Sequence, residues 1–260
     1  DLHTAYRRQR QMCIRDSSST LTGSNVITLP DTVTELTNYA NQKCNGQDAV
    51  TLQTAFALSC NTAFVEMSEQ LGADELRKYA KAFGVGENYD LGVSTSAGTL
   101  GDLPDGAATA QSAIGQRDVT MTALQAAVMA GTVANKGTRM QPYLVNRITD
   151  AQMKDVRTTK PKKADQAVNE ETAATLTDLM YASERSSWGY DGNGFASKTG
   201  TAEHGEGLAP HVWYVAFDPE RDIAVGVVVK NGGNLGESAT GGKVSGPIGR
   251  AILRAYQGEQ

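Results

Sequence analysis

Three short runs rich in β-branched and aromatic residues crowd the C-terminal quarter of the chain: Gly194 to His204, Val212 to Phe217 and Ile223 to Lys230. Asp218-Pro219-Glu220-Arg221-Asp222 separates the last two, and its proline and aspartates predict a turn. So short a connection permits antiparallel pairing only. Ser245 to Tyr256 then reads as a closing helix with Ile248, Ile252 and Tyr256 on one stripe, able to cover the sheet. Helical patterns dominate the sequence ahead of these strands, so the overall pattern is α+β.

Among those helices, one begins near Thr51 with Leu52, Ala55 and Phe56 on one face. Ala63, Phe64, Met67 and Leu71 resume the 3.6-residue period after a break. The break is Ser59-Cys60-Asn61, in which Ser59 and Asn61 are both favourable N-caps. Gly23 to Gln47 reads as extended connection, Ala73 to Phe83 as a helix closed by Gly84, and Gly84 to Gly115 as a structured surface loop. Asp118 to Ala134 is expected to be a core helix ended by Gly137. Arg139 to Thr149 and Gln152 to Val156 read as a hairpin around Asp150-Ala151, and Asn169 to Glu184 as another helix. Lys160, Lys162 and Lys163 around Pro161 read as a solvated turn.

At 260 residues the chain suits one large domain. Its net charge of -5 argues against a nucleic-acid partner, because phosphate binding wants a basic footprint. No run approaches the ~18 apolar residues of a membrane span. Residues 1–16 carry Arg7, Arg8, Arg10 and Arg15 with almost no apolar period, and the stretch from Gln11 to Ser17 resembles translated sequencing-adaptor read-through. That segment is expected to be foreign to the fold, leaving 17–260 as the domain; a basic arm for anionic lipid is the alternative. With Cys13 set aside, Cys44 and Cys60 either bridge, bracing the Ser59 loop, or remain two buried thiols. His204 and His211 lack a third ligand at metal spacing, so packing or edge roles are expected of them and not metal binding. Trp213, Tyr214 and Phe217 are expected in the core.

Two motifs carry chemistry. Lys198-Thr199-Gly200 arises by chance in roughly one chain in twenty of this length, whereas Ser-x-Asn occurs in most. The surrounding text is more telling. Phe195 to Glu203 is similar to the third motif of penicillin-binding transpeptidases, and Ala57-Leu58-Ser59-Cys60-Asn61-Thr62-Ala63-Phe64 resembles their second. Ile114-Gly115-Gln116 with Thr120 to Asn135 looks like the segment between them, and Pro210 to Phe217 like the strand after the third. The resemblance runs from Gly23 to Tyr256 and is strongest to class B, actinobacterial-type members.

That resemblance implies a serine transpeptidase and β-lactamase-like fold, an antiparallel sheet flanked by helices. It also implies D,D-transpeptidation of peptidoglycan through a serine acyl-enzyme, inhibited by penicillins and needing no cofactor. Lys198 would sit beside Ser59 and set the proton network. Thr199 and Thr201 would offer hydroxyls to the carboxylate of a stem peptide or β-lactam, the Thr201 N–H opened by Gly200 would be an oxyanion donor, and Asn61 would bond a substrate amide. No serine in the chain is followed by lysine three positions on, so the family's Ser-x-x-Lys nucleophile is absent. The chain is therefore expected to be an N-terminally truncated piece, inactive alone. By the same resemblance the parent acts at the outer face of the bacterial cytoplasmic membrane, with division or elongation machinery as partners. A serine β-lactamase and a non-catalytic wall-fragment sensor or scaffold are the alternatives; Cys60, where class A β-lactamases usually carry Asp, favours the transpeptidase.

Overall fold

The structure is a computed structural model that describes residues 17–205 and 207–258, so the segment expected to be foreign, 1–16, lies outside the described residues. Strands β1 (Thr20–Thr22), β2 (Val26–Thr28), β3 (Glu35–Thr37) and β4 (Ala49–Thr51) lead into helices α1 (Leu52–Leu58), α2 (Asn61–Leu71), α3 (Ala73–Ala82), α4 (Gly106–Ala113) and α5 (Ala123–Ala134). Then come β5 (Thr138–Met140), β6 (Arg147–Thr149), β7 (Asp155–Thr158), β8 (Lys163–Gln166) and α6 (Glu170–Ser186). Strands β9 (Ala196–Ala202), β10 (His211–Asp218) and β11 (Ile223–Val229) and helix α7 (Ser245–Gly258) complete the chain. Among the described residues no helix is long and apolar enough to cross a membrane.

The three C-terminal runs form one antiparallel sheet in the order β11-β10-β9, with Lys198 opposite Val215 and Thr199 opposite Tyr214. Alternation along a strand then divides the side chains between two faces. Ala196, Lys198, Val215 and Phe217 share one face, where Ala130 and Val133 of α5 and Met180 of α6 pack on Ala196 and Phe217. Gly226 lies beneath the start of α5: a Cβ there would stand 2.4 Å from the Ala123 carbonyl oxygen. The opposite face, with Ser197, Thr199 and Tyr214, belongs to α7, where Leu253 joins Phe195, Tyr214, Ala216 and Val225.

Helix α7 covers the sheet, but not with the predicted stripe. Ile248 and Ile252 are each 44% exposed, while Gly246, Gly249, Arg250 and Leu253 are buried. Close approach decides this, since a Cβ on Gly249 would lie 2.3 Å from Cδ1 of Tyr214. Small residues let the helix axis come down onto the ring.

Four other expectations change. Gly23 to Gln47 contains the β2–β3 hairpin, and the ends of that stretch are drawn together by the pairing of β1 with β4. The long glycine-rich loop holds α4, capped by the Asp105 carboxylate accepting from the Ala108 N–H; its small residues hid the period, yet Ala110 packs fully buried on Val65 and Leu29. The predicted hairpin holds around Asp150, where β6 pairs with β7, but its first arm is divided and β5 pairs outside it with β8, so Lys163 belongs to a strand and not a turn. Helix α5 starts at Ala123, later than predicted, because Thr122 and Gln125 form a capping box.

Candidate active site

Ser59-Cys60-Asn61 is the corner between α1 and α2. Ser59 ends α1 in the left-handed region at φ 57°, and Cys60 occupies the N-cap of α2 without a side-chain capping bond. Neither Ser59 nor Asn61 is an N-cap, which corrects the expectation. A left-handed serine is strained by roughly 1 kcal/mol or more and persists where its surroundings over-determine it. Here they do. Cys60 is bonded to Cys44 in a disulfide with Cα atoms 5.7 Å apart, which answers the open question about these two residues. The buried Thr62 N–H donates to Asn38 Oδ1 at 3.1 Å, and Asn38 Nδ2 donates to the Ser24 carbonyl at 2.8 Å. Asn61 Nδ2 donates to the Thr37 carbonyl at 3.0 Å.

Lys198 reaches this corner from β9. Its Nζ donates to Ser59 Oγ in a very short hydrogen bond and to the Thr199 carbonyl at 2.8 Å, and stands 5.8 Å from the centroid of the Phe56 ring. Burial pushes its pKa down to about 8, with no carboxylate to offset the desolvation. An ammonium so placed gives up its proton near neutrality, and its nearest partner is a hydroxyl. That pairing suits proton transfer.

The rest of the Lys198 motif divides between the two sides of β9, which has β10 on one side and an unpaired outer edge on the other. Because Lys198 bonds the Thr199 carbonyl, the main-chain groups of Thr199 point to that outer edge, and by the period of two the Thr201 N–H does too. The Thr201 hydroxyl accepts from the Gly241 N–H at 3.4 Å. Gly241 packs on the strand, and a Cβ there would fall 2.7 Å from the Gly200 carbonyl oxygen. A Cβ on Gly200 would meet Cβ of Trp213 at 3.3 Å. The structure thus brings Ser59 and Lys198 into contact, sets Asn61 on the Thr37 carbonyl, and leaves Thr199, Gly200 and Thr201 lining the edge.

His204 and His211 stack on each other at 4.1 Å between ring centroids. His204 Nε2 bonds the Ala209 carbonyl and His211 Nδ1 accepts from the Asn231 N–H. Burial and the nearby His204 and Lys230 charges lower the His211 pKa. Tyr214 and Phe217 are buried as expected, and Trp213 half-buried. Sequence reasoning missed Phe56 as a wall beside Lys198 and Asn38 as the clamp behind Thr62. Phe56 carried a signal, lying one helical turn before Ser59; Asn38 carried none.

The sequence model of the penicillin binding protein transpeptidase domain matches residues 18–254. Peptidoglycan D,D-transpeptidase PbpA of Mycolicibacterium smegmatis is 44% identical over 236 residues, 87% of this chain and 48% of that protein. Its Mycobacterium tuberculosis counterpart is 41% identical over 249 residues, 92% of this chain and 50% of that protein. The chain spans about half the length of these curated relatives. Among solved structures, penicillin-binding protein A of M. tuberculosis as its ceftriaxone acyl-enzyme superposes with a TM-score of 0.89 at 39% identity, covering 94% of this chain and 57% of that one. Its penicillin G acyl-enzyme gives 0.88 at 38%, covering 96% and 58%.

Proposed function

The chain belongs to the family of penicillin-binding protein transpeptidase domains, and from that premise we propose that it supplies two walls of a peptidoglycan D,D-transpeptidase site working through a serine acyl-enzyme. The contact of Lys198 Nζ with Ser59 Oγ carries this reading, because it joins two motifs separated by 139 residues into one proton-transfer pair. Acyl transfer needs an attacking serine, a path for its proton, and donors for the oxyanion. Ser59 and Lys198 form the proton path to the leaving group. The Thr201 N–H on the open edge of β9 is one oxyanion donor.

Substrate recognition follows from the same edge. The Lys198 charge and the Thr199 and Thr201 hydroxyls attract the terminal carboxylate of a stem peptide or the carboxylate of a β-lactam, and Thr201 exchanges its bond from Gly241 for one to the ligand. Asn61 keeps its amide nitrogen on Thr37, so its Oδ1 is the atom left to accept from a substrate amide. No serine here has a lysine three positions on, so none of them takes the acylated role. The parent works at the outer face of the cytoplasmic membrane, with the wall-building machinery of division or elongation. Residues 17–260 are the domain's own, and 1–16 a segment foreign to it.

The test joins this chain to a Ser-x-x-Lys region of the family and measures labelling by fluorescent penicillin. Stable labelling is expected, with none in Lys198→Met. Rapid turnover of the label would instead assign a β-lactamase, and no labelling a sensor or scaffold.

A further inference from the structure

Glu184, in the last turn of α6, is 1% exposed and its carboxylate accepts four side-chain hydrogen bonds behind β9. Its Oε1 accepts from Arg250 Nε at 2.6 Å and from Asn193 Nδ2 at 2.9 Å. Its Oε2 accepts from the Tyr214 hydroxyl at 3.0 Å and, in a very short bond, from Ser197 Oγ. Four donors thus fill the carboxylate. Burial alone would raise its pKa, but the bonds from Arg250, Ser197 and Asn193 hold it below the usual value. Arg250, 2% exposed, ties the group onward to the Trp188 carbonyl at 3.0 Å and to the Ser187 hydroxyl.

The placement of two of these bonds matters. Ser197 immediately precedes Lys198, and Tyr214 stands opposite Thr199 in the register. Both side chains are on the α7 face of the sheet, and Lys198 is on the other. A strand's side chains alternate, so gripping Ser197 from one face fixes the direction in which Lys198 leaves the opposite face. The ladder to β10 holds one edge of β9 and no strand pairs with the other, so side-chain bonds on its faces add to what fixes its roll. A buried ion pair is in itself a poor source of stability, and an apolar pair of similar volume serves a fold as well. What a carboxylate adds is directional bonds to two adjacent strands at the level of the motif.

We propose that Glu184 is a positioning residue which, through the Ser197 hydroxyl, sets the roll of β9 so that Lys198 Nζ meets Ser59 Oγ. This rests on the transpeptidase reading of that pair. Releasing the grip lets the edge strand roll outward, and the Lys198 ammonium regains water.

The experiment uses this chain with 13C-labelled lysine, following the Lys198 side-chain resonance, assigned by its loss in Lys198→Arg, through the alkaline range. The native midpoint is expected near 8. In Ser197→Ala it is expected to rise by about one unit towards the ordinary lysine value. Glu184→Gln moves it the same way, and combining the two adds little, since both break one path. Leu29→Ala, a cavity in a separate cluster, lowers the melting temperature without moving the midpoint. An unchanged midpoint in Ser197→Ala, or an equal shift in Leu29→Ala, overturns the proposal and leaves Glu184 as a brace of the fold. The titration needs no penicillin, so its outcome is separate from the labelling that tests the transpeptidase reading.

Discussion

Cys44 is bonded to Cys60, and Cys60 is the residue between Ser59 and Asn61, so a covalent bridge ends inside the motif itself. The bridge closes a loop of sequence separation 16 that contains β4 and α1, and the β2–β3 hairpin ahead of it ends in Thr37 and Asn38, which hold Asn61 and Thr62. A loop of that size constrains the unfolded chain by about 3 kcal/mol. Cys44→Ser is expected to lower the urea midpoint accordingly, and reductant should do the same to the native chain. An intact mass that does not rise by two protons on reduction, with no shift in the midpoint, would reject the bridge.

Lys198 is the residue whose loss should separate chemistry from folding. With the Ser-x-x-Lys region restored, Lys198→Met is expected to slow penicillin acylation by about 10²–10⁴-fold, the usual worth of a positioned proton-transfer group. Thermal stability should not fall, because the variant removes a desolvated charge without a carboxylate partner. Equal acylation rates in stopped-flow labelling would remove Lys198 from the mechanism.

The same lysine gives stability a pH dependence of definite sign. Its folded pKa, about 8, lies below the ordinary 10.5. Below pH 8 both states carry the proton and the fold bears the cost of burying it; between the two values the unfolded chain binds a proton that the fold has lost. Stability from this group therefore rises with pH across that window. After allowance for water reaching a half-buried side chain, the gain is about 1–2 kcal/mol. Urea unfolding at the two ends of the window should show it as a difference between the native chain and Lys198→Met. A difference that shrinks or stays flat as pH rises counts against the buried ammonium.

Gly226 sets how closely α5 lies on the sheet. A Cβ there would stand 2.4 Å from the Ala123 carbonyl oxygen and 2.6 Å from the Ala127 nitrogen, both main-chain atoms. Gly226→Ala should cost about 1–3 kcal/mol by overpacking, whereas Gly236→Ala, with nothing within 4 Å, should act through its φ of 54° alone. Equal melting temperatures for native and Gly226→Ala chains would show that the helix can move away freely.

Much of this was legible in the chain. The three strands and their antiparallel sense came from three β-rich runs and a five-residue turn, and Lys198 to Thr201 falls on a strand because Ser197-Lys198-Thr199-Gly200-Thr201 sits inside the first run. Less legible was whatever depended on close approach. The stripe Ile248, Ile252, Tyr256 is the more hydrophobic side of α7, yet glycines face the sheet because Tyr214 leaves no room for larger side chains. Helix α4 was hidden for the same reason, its packing surface being Ala110 and not a leucine. Ser59 as a left-handed corner and Glu184 as a hub are set by partners 9 to 139 residues away, and no local period encodes them.

The β6–β7 ladder stands apart from all of this. Five of its seven residues are polar or charged, all but Ile148 and Val156, and every residue of β7 is exposed. The Asp150 to Lys154 turn between them can therefore accept extra length at little cost, since lengthening a surface loop is penalised only slowly. It is the natural place to graft an affinity handle or a fluorophore, reporting on the domain from a spot that neither face of the main sheet would notice.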